Sequence, residues 1–279
     1  MPTYRYVVAD VFTDRPLSGN QLAVFTDARA LPEASLQPLA RELALSETVF
    51  VLPPEQGGHV RIRIFTPAME LPFAGHPVLG SAFVLGAPLQ LGEIRIETGA
   101  GVVPVRLERE GARIVFGRME QPVPSWRPYE REAELLAALG VGRSELPVEL
   151  YDLGPTHAFV TLASAGEVVR LSPDLAALAR HPIGANCVAR DGERLKLRMF
   201  APGHGIAEDP ASGSAAGPLA VHLARHGWTS FGDEIEISQG AEIGRPSTLY
   251  ARADGSPERI ERVEVGGSAV VVARGEFKL

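Results

Sequence analysis

The chain has a single cysteine, Cys187, among 279 residues. One thiol excludes an intramolecular disulfide and any mechanism that needs a cysteine pair, and it fits a reducing, cytoplasmic setting. No apolar run approaches the length that spans a bilayer, and no apolar signal region follows Met1, so no membrane role is expected. Basic excess is also missing: a net charge of -7 and a pI near 5.6 argue against nucleic acid or an anionic membrane as partner. Aromatic residues are scarce at 6%, beside 45% hydrophobic and 22% charged, a composition of soluble globular proteins. No Gly-x-Gly-x-x-Gly turn and no cofactor lysine motif is present, so no nicotinamide, flavin or pyridoxal cofactor is expected. No metal is expected either. His222 and His226 stand four apart on one helix, but no third ligand lies near in sequence, and they read as solvated helix residues. Gly213-Ser214-Ala215-Ala216-Gly217 lacks both the Gly-x-Ser-x-Gly spacing of a hydrolase elbow and the lysine of a P-loop.

What the chain does have is a repeated phrase. Phe65-Thr66-Pro67 leads to Gly75-His76-Pro77-Val78, and Phe200-Ala201-Pro202 leads to Gly213-Ser214-Ala215-Ala216. Each copy reads as a strand ending in a Pro turn, a carboxylate-bearing loop, and a glycine opening a helix. Duplication predicts two similar domains, 1–120 and 129–279, joined by a proline-stiffened linker at 121–128, with the last strand free to return to the first domain. Val78–Leu85 and Leu219–Leu223 are apolar almost all round and must be buried. Strands dominate between helices, so the expected class is α+β: two pseudo-symmetric domains, each a curved, mostly antiparallel sheet around a central apolar helix. Pro77 at a first helical position makes His76 the expected N-cap, and Pro218 places the second N-cap no earlier than about Ser214. Aligning Gly75 with Gly213 pairs the same two residues. A helix N-terminus offers unpaired amides and a favourable dipole, so two of them facing one cleft would hold a small carboxylate.

Three polar side chains accompany these helix starts. Glu47 opens an apolar strand, and a carboxylate in such surroundings suits acid/base work; on local sequence alone it reads rather as a solvated turn glutamate or a cap. His76 could be a capping or core histidine, and Asp209 a turn aspartate before Pro210. Glu70 lies in the loop of the first domain and reads as structural. His157 opens a strand that matches the Glu47 strand, as a supporting residue, and Cys187 reads as a buried small hydrophobe.

With these residues the chain resembles the PhzF phenazine-biosynthesis isomerase family, of the diaminopimelate-epimerase-like fold. The matching phrases are Pro16-Leu17-Ser18-Gly19-Asn20, Leu45-Ser46-Glu47, Glu70 through Pro77, Glu208-Asp209, Gly213 through Ala220, His222 through His226, Gln239-Gly240 and Glu242 through Ser247. The resemblance covers essentially the full length. It implies a cofactor-free, homodimeric isomerase of trans-2,3-dihydro-3-hydroxyanthranilate, with Glu47 as acid/base and His76, Asp209 and Ser214 in the family's remaining polar positions. Ser46, Gly75, Pro77, Gly213, Ser214 and Ala215 would contact the substrate, its carboxylate on the helix amides. The competing expectations are a related epimerase or isomerase of another small amino or hydroxy acid, and a non-catalytic binder of small acids, which would have no use for Glu47.

Overall fold

The computed structural model describes residues 1–279. Its contacts group the chain into two compact units, Met1–Glu120 with Gly266–Leu279, and Gln121–Val265.

The first unit contains β1 (Thr3–Val11), β2 (Asn20–Phe25), α1 (Leu36–Leu43), β3 (Glu47–Leu52), β4 (Val60–Phe65), β5 (Glu70–Leu71), α2 (Gly75–Leu89), β6 (Glu93–Thr98), β7 (Gly101–Glu110) and β8 (Arg113–Gln121). β2 runs parallel to β3, β3 antiparallel to β4, β4 parallel to β6, and β6 antiparallel to β7. α2 packs against β1, β2, β3, β6 and β7. Its residues from Gly75 to Phe83 are all buried, as an apolar face on every side requires. A second, smaller core lies under α1, where Leu36, Leu39 and Ala40 meet Phe25, Phe50 and Phe65. The loop from β1 to β2 holds Leu17 at φ 65°, a left-handed conformation that its N–H bond to the buried Asp10 Oδ2 at 2.7 Å helps to hold.

The second unit follows the same order. It contains β9 (Ser125–Pro128), α3 (Glu132–Leu139), β10 (Glu149–Asp152), β11 (Thr156–Thr161), α4 (Ala165–Val169), α5 (Leu175–Leu178), β12 (Gly184–Asp191), β13 (Arg194–Ala201), β14 (Ile206–Asp209), α6 (Gly213–Arg225), β15 (Glu234–Gln239), β16 (Ser247–Gly255) and β17 (Ile260–Gly267). β11 is parallel to β12, β12 antiparallel to β13, β13 parallel to β15, and β15 antiparallel to β16. That is the pairing pattern of β2, β3, β4, β6 and β7, with α6 in the place of α2. The class is α+β, with mixed sheets that are mostly antiparallel.

One boundary differs from the sequence reading, and the last strand takes the first-domain place that reading left open to it. The expected linker at 121–128 is part of the second unit: Ser125, Trp126 and Arg127 pair with Asp152, Tyr151 and Leu150 of β10, and only Pro128 falls at the strand end, where a missing N–H is tolerated. Residues 266–279 belong to the first unit, where β18 (Ala269–Lys278) pairs antiparallel with β1 along its whole length.

Candidate functional site

In the first unit, Glu47 is the first residue of β3 and is 7% exposed. Ser46 precedes it in the turn after α1. His76, 3% exposed, is the second residue of α2, and its Nε2 lies 3.3 Å from Glu47 Oε2. Its Nδ1 faces the Asn20 side-chain amide at 3.3 Å. Burial drives the imidazole pKa down to about 3, with a backbone bond to Gln21 opposing weakly, so the ring is neutral at physiological pH. Nδ1 faces an amide NH₂ and Nε2 faces a carboxylate oxygen, so the ring hydrogen fits on Nε2, towards Glu47.

The helix starts differ by one or two residues from expectation. The N-cap of α2 is Ala74, one residue before Gly75, so His76 lies inside the helix and Pro77 is its third residue. Pro is tolerated throughout the first turn because none of those amides has an intrahelical partner. In α6 the N-cap is Ser212, and Pro218 lies well inside the helix. The helix starts earlier than the proline argument allows, so Pro218 lies past its first turn. Gln121 Nε2 donates to the Gly213 carbonyl at 2.8 Å, and a Cβ on Gly217 would stand 2.2 Å from Gln121 Oε1. Glycine at 217 makes that approach possible. The alignment of His76 with Ser214 survives, since each is the second residue of its helix. Neither N-cap side chain caps its own helix, which leaves the first amides open to an anion. Two expected contacts are limited: Pro77 has no amide to offer, and the Ala215 amide already bonds the Ser212 carbonyl at 3.0 Å.

In the second unit Asp209 ends β14 and is 5% exposed. Ser212 Oγ donates to its Oδ2 at 2.5 Å. Gln239, fully buried at the end of β15, holds this loop: Nε2 donates to the Asp209 carbonyl at 2.8 Å and to Ser212 Oγ at 3.0 Å, while Oε1 accepts from Ser212 N at 3.0 Å. With Gln239 donating to its oxygen, the Ser212 hydroxyl gives its hydrogen to Asp209. Ser214 bonds His157 Nε2 at 3.1 Å, and His157 Nδ1 faces the Asn186 amide at 3.4 Å. Gln239, Asn20 and Asn186 escaped the sequence reading. The available signal was an amide side chain at the end of, or within, an otherwise apolar strand, where it must find partners.

Strand registers correct the pairing of His157 with Glu47. Thr48 faces Phe65 as Ala185 faces Phe200, and Leu22 faces Glu47 as His157 faces Gly184. Glu47 thus corresponds to Gly184, and His157 to Leu22. The second unit has no carboxylate at the position of Glu47.

His222 and His226 are also corrected. His222 is fully buried and His226 mostly so, because β10 brings Glu149 to them. Glu149 Oε2 accepts from Tyr151 Oη at 2.8 Å, Arg225 Nη1 at 2.7 Å and His226 Nε2 at 3.0 Å. Burial raises the Glu149 pKa, but these bonds win and hold it well below the usual carboxylate range. The trio has metal-ligand spacing. Yet the Arg225 guanidinium, stacked on Trp126 at 4.3 Å, already neutralises the carboxylate that a cation would need, and the cluster reads as a buried ion pair. Glu70 forms a partly exposed pair with Arg63 at 2.7 Å. Cys187 is buried in β12, which pushes its thiol up to about 12 and leaves it inert. No helix is long and apolar enough to cross a membrane.

Comparison with known proteins places these features in a family. Residues 9–275 match the model of the PhzC-PhzF family, described as phenazine biosynthesis-like protein. The chain is 51% identical to a trans-2,3-dihydro-3-hydroxyanthranilate isomerase of Pseudomonas aeruginosa, over 99% of this chain and 100% of the relative. It is 50% identical to the protein of that name from Pseudomonas fluorescens, with the same coverage. Among solved structures, a PhzF-family phenazine biosynthesis protein of Bacillus anthracis superposes with a TM-score of 0.86 at 24% identity, covering all of both chains. The fold is the diaminopimelate-epimerase-like one. The chain belongs to the PhzC/PhzF phenazine biosynthesis-like family.

Proposed function

We propose that this chain is a cofactor-free isomerase of trans-2,3-dihydro-3-hydroxyanthranilate in phenazine biosynthesis, with Glu47 as its single acid/base. The buried Glu47–His76 pair carries the chemistry, and the full-length relatives of that name support the substrate. A carboxylate that removes a proton from a ring carbon becomes a carboxylic acid. Nε2 of His76 lies beside that acid, but the buried ring is too weak a base to take the proton. The proton therefore stays on Glu47 and returns to another ring carbon on the same face. General acid–base transfer of this kind typically supplies about 10²- to 10⁴-fold in rate.

The remaining roles follow from the chemistry of each group. The substrate carboxylate would rest on the open amides at Gly75 and His76 or on those at Gly213 and Ser214, a helix terminus contributing roughly 0.3–2 kcal/mol. Asp209, aimed by Ser212, would hold the substrate amine or hydroxyl. Ser46 would border the base. A two-base epimerase is disfavoured by Gly184, which supplies no second base where Glu47 has its counterpart. The protein would act in the cytoplasm as a homodimer, at twice its 29.8 kDa chain mass by light scattering. The test of function is turnover. Purified protein with no added cofactor should convert the dihydro-hydroxyanthranilate into an isomer of unchanged mass, and unaltered substrate would overturn the proposal.

A further inference from the structure

His157 and Ser214 form a second side-chain pair in which a residue from a neighbouring strand meets the second residue of a central helix. Glu47 and His76 are the first such pair. His157 is 2% exposed, and its ring fits because residue 184 is glycine: a Cβ there would stand 2.6 Å from His157 Nδ1. The hydrogens around the ring can be assigned by exclusion. Asn186 Nδ2 donates to the Gly184 carbonyl at 2.9 Å and to the Ala158 carbonyl at 3.2 Å, so the group facing His157 Nδ1 is an amide NH₂ and not its oxygen. A ring N–H at Nδ1 would point donor at donor. Nδ1 is therefore the bare nitrogen, and Nε2 carries the hydrogen. Burial keeps the ring neutral, with only that one hydrogen to give. Nε2–H then donates to Ser214 Oγ at 3.1 Å. Ser214 is only partly buried and has no other side-chain hydrogen bond, so its own hydrogen points away from His157.

We infer that His157 is a positioning residue that aims the Ser214 hydroxyl hydrogen at the substrate's carboxylate, its ring N–H on Oγ fixing the direction in which that hydroxyl donates. This deepens the proposed function and rests on its assignment of an anion to the start of α6. If the ring donates to Oγ, one lone pair is taken and the hydroxyl hydrogen is directed away from His157, which suits an anion there.

Two measurements test it. The first is calorimetry with 3-hydroxyanthranilate and its decarboxylated analogue 2-aminophenol on the wild type, His157→Phe, His157→Gln and Ser214→Ala. His157→Phe should weaken 3-hydroxyanthranilate about tenfold and leave 2-aminophenol unchanged. His157→Gln, with an N–H near the Nε2 position, should recover most of the loss, and adding His157→Phe to Ser214→Ala should cost nothing further. Equal weakening of both ligands, or additive losses in the double variant, would reduce His157 to a structural role and overturn the inference. A wild type that binds both ligands equally would instead overturn the anion assignment itself, and this inference with it. The second measurement needs no variant: ¹⁵N-resolved histidine spectra of the wild type should show His157 as the Nε2–H tautomer. The Nδ1–H tautomer would overturn the inference.

Discussion

Gln239→Leu separates the support of Asp209 from Asp209 itself. Gln239 is fully buried, and leucine nearly matches its volume, so little cavity forms. The loss is polar. The Ser212 N–H and the Asp209 carbonyl lose partners at 3.0 and 2.8 Å, and the Ser212 hydroxyl loses a donor at 3.0 Å. An orphaned buried group costs about 1–3 kcal/mol, and because the three share one side chain a total of about 3 kcal/mol is expected. The unit from Gln121 to Val265 has about 145 residues. At about 2.1 cal/mol/K per residue its unfolding entropy is about 0.3 kcal/mol/K, so its melting temperature should fall by about 10 °C. Turnover should fall about tenfold, with a smaller change in KM, because Ser212 no longer aims its hydrogen at Asp209. Calorimetric melting and steady-state kinetics on the same preparation check both figures. A melting point within 2 °C of wild type together with unchanged kcat would refute the role given to Gln239.

Further outcomes follow from the buried ionisable groups. His76 and His157 have folded pKa values of about 3, against about 6.5 when unfolded, so below pH 6.5 the unfolded chain binds more protons and stability falls towards pH 3. At pH 5 each should cost about 2 kcal/mol relative to pH 7.5, measured by urea unfolding, and a flat profile would mean that the rings are not buried neutral. Glu149 acts in a lower window. Its depressed pKa stabilises the fold above the unfolded carboxylate value and is lost only below about pH 4. Glu149→Ala should destabilise by about 3–5 kcal/mol because Arg225 is left buried without its carboxylate, and making both residues apolar should restore most of it; an unchanged melting point in the single variant would refute the ion-pair reading.

The parts of the fold written in local pattern were legible. Val78–Leu85 is apolar on all sides, and α2 is buried accordingly. The repeated Phe-x-Pro and Gly phrases correctly matched β4 with β13 and α2 with α6. The strand that Glu47 opens was legible from its apolar residues, while Glu47 itself read locally as a turn glutamate. What escaped depends on contacts distant in sequence. Glu149 reaches His222 and His226 only because β10 lies beside their helix, so two histidines without a local third partner read as solvated. Gln121 reaches the Gly213 carbonyl across 92 residues, a contact no local pattern encodes, and Pro218 inside α6 misled the placing of its start. Ser125–Pro128 reads as linker from its prolines, although Trp126 pairs in β10's ladder and stacks under Arg225. His157 seemed equivalent to Glu47 until the register, which no local pattern encodes, set it beside Gly184.

Glu47→Gln bears most directly on the claim of a single shuttling base. Glutamine keeps the shape beside His76 but cannot titrate, and it leaves neither a cavity nor an unpaired charge. Turnover of the dihydro-hydroxyanthranilate should fall by at least about 10²-fold, while 3-hydroxyanthranilate binding and the melting temperature stay close to wild type. A Glu47→Gln protein that turns over at near wild-type rate would contradict the account and move the base to another residue, with Asp209 the first to examine.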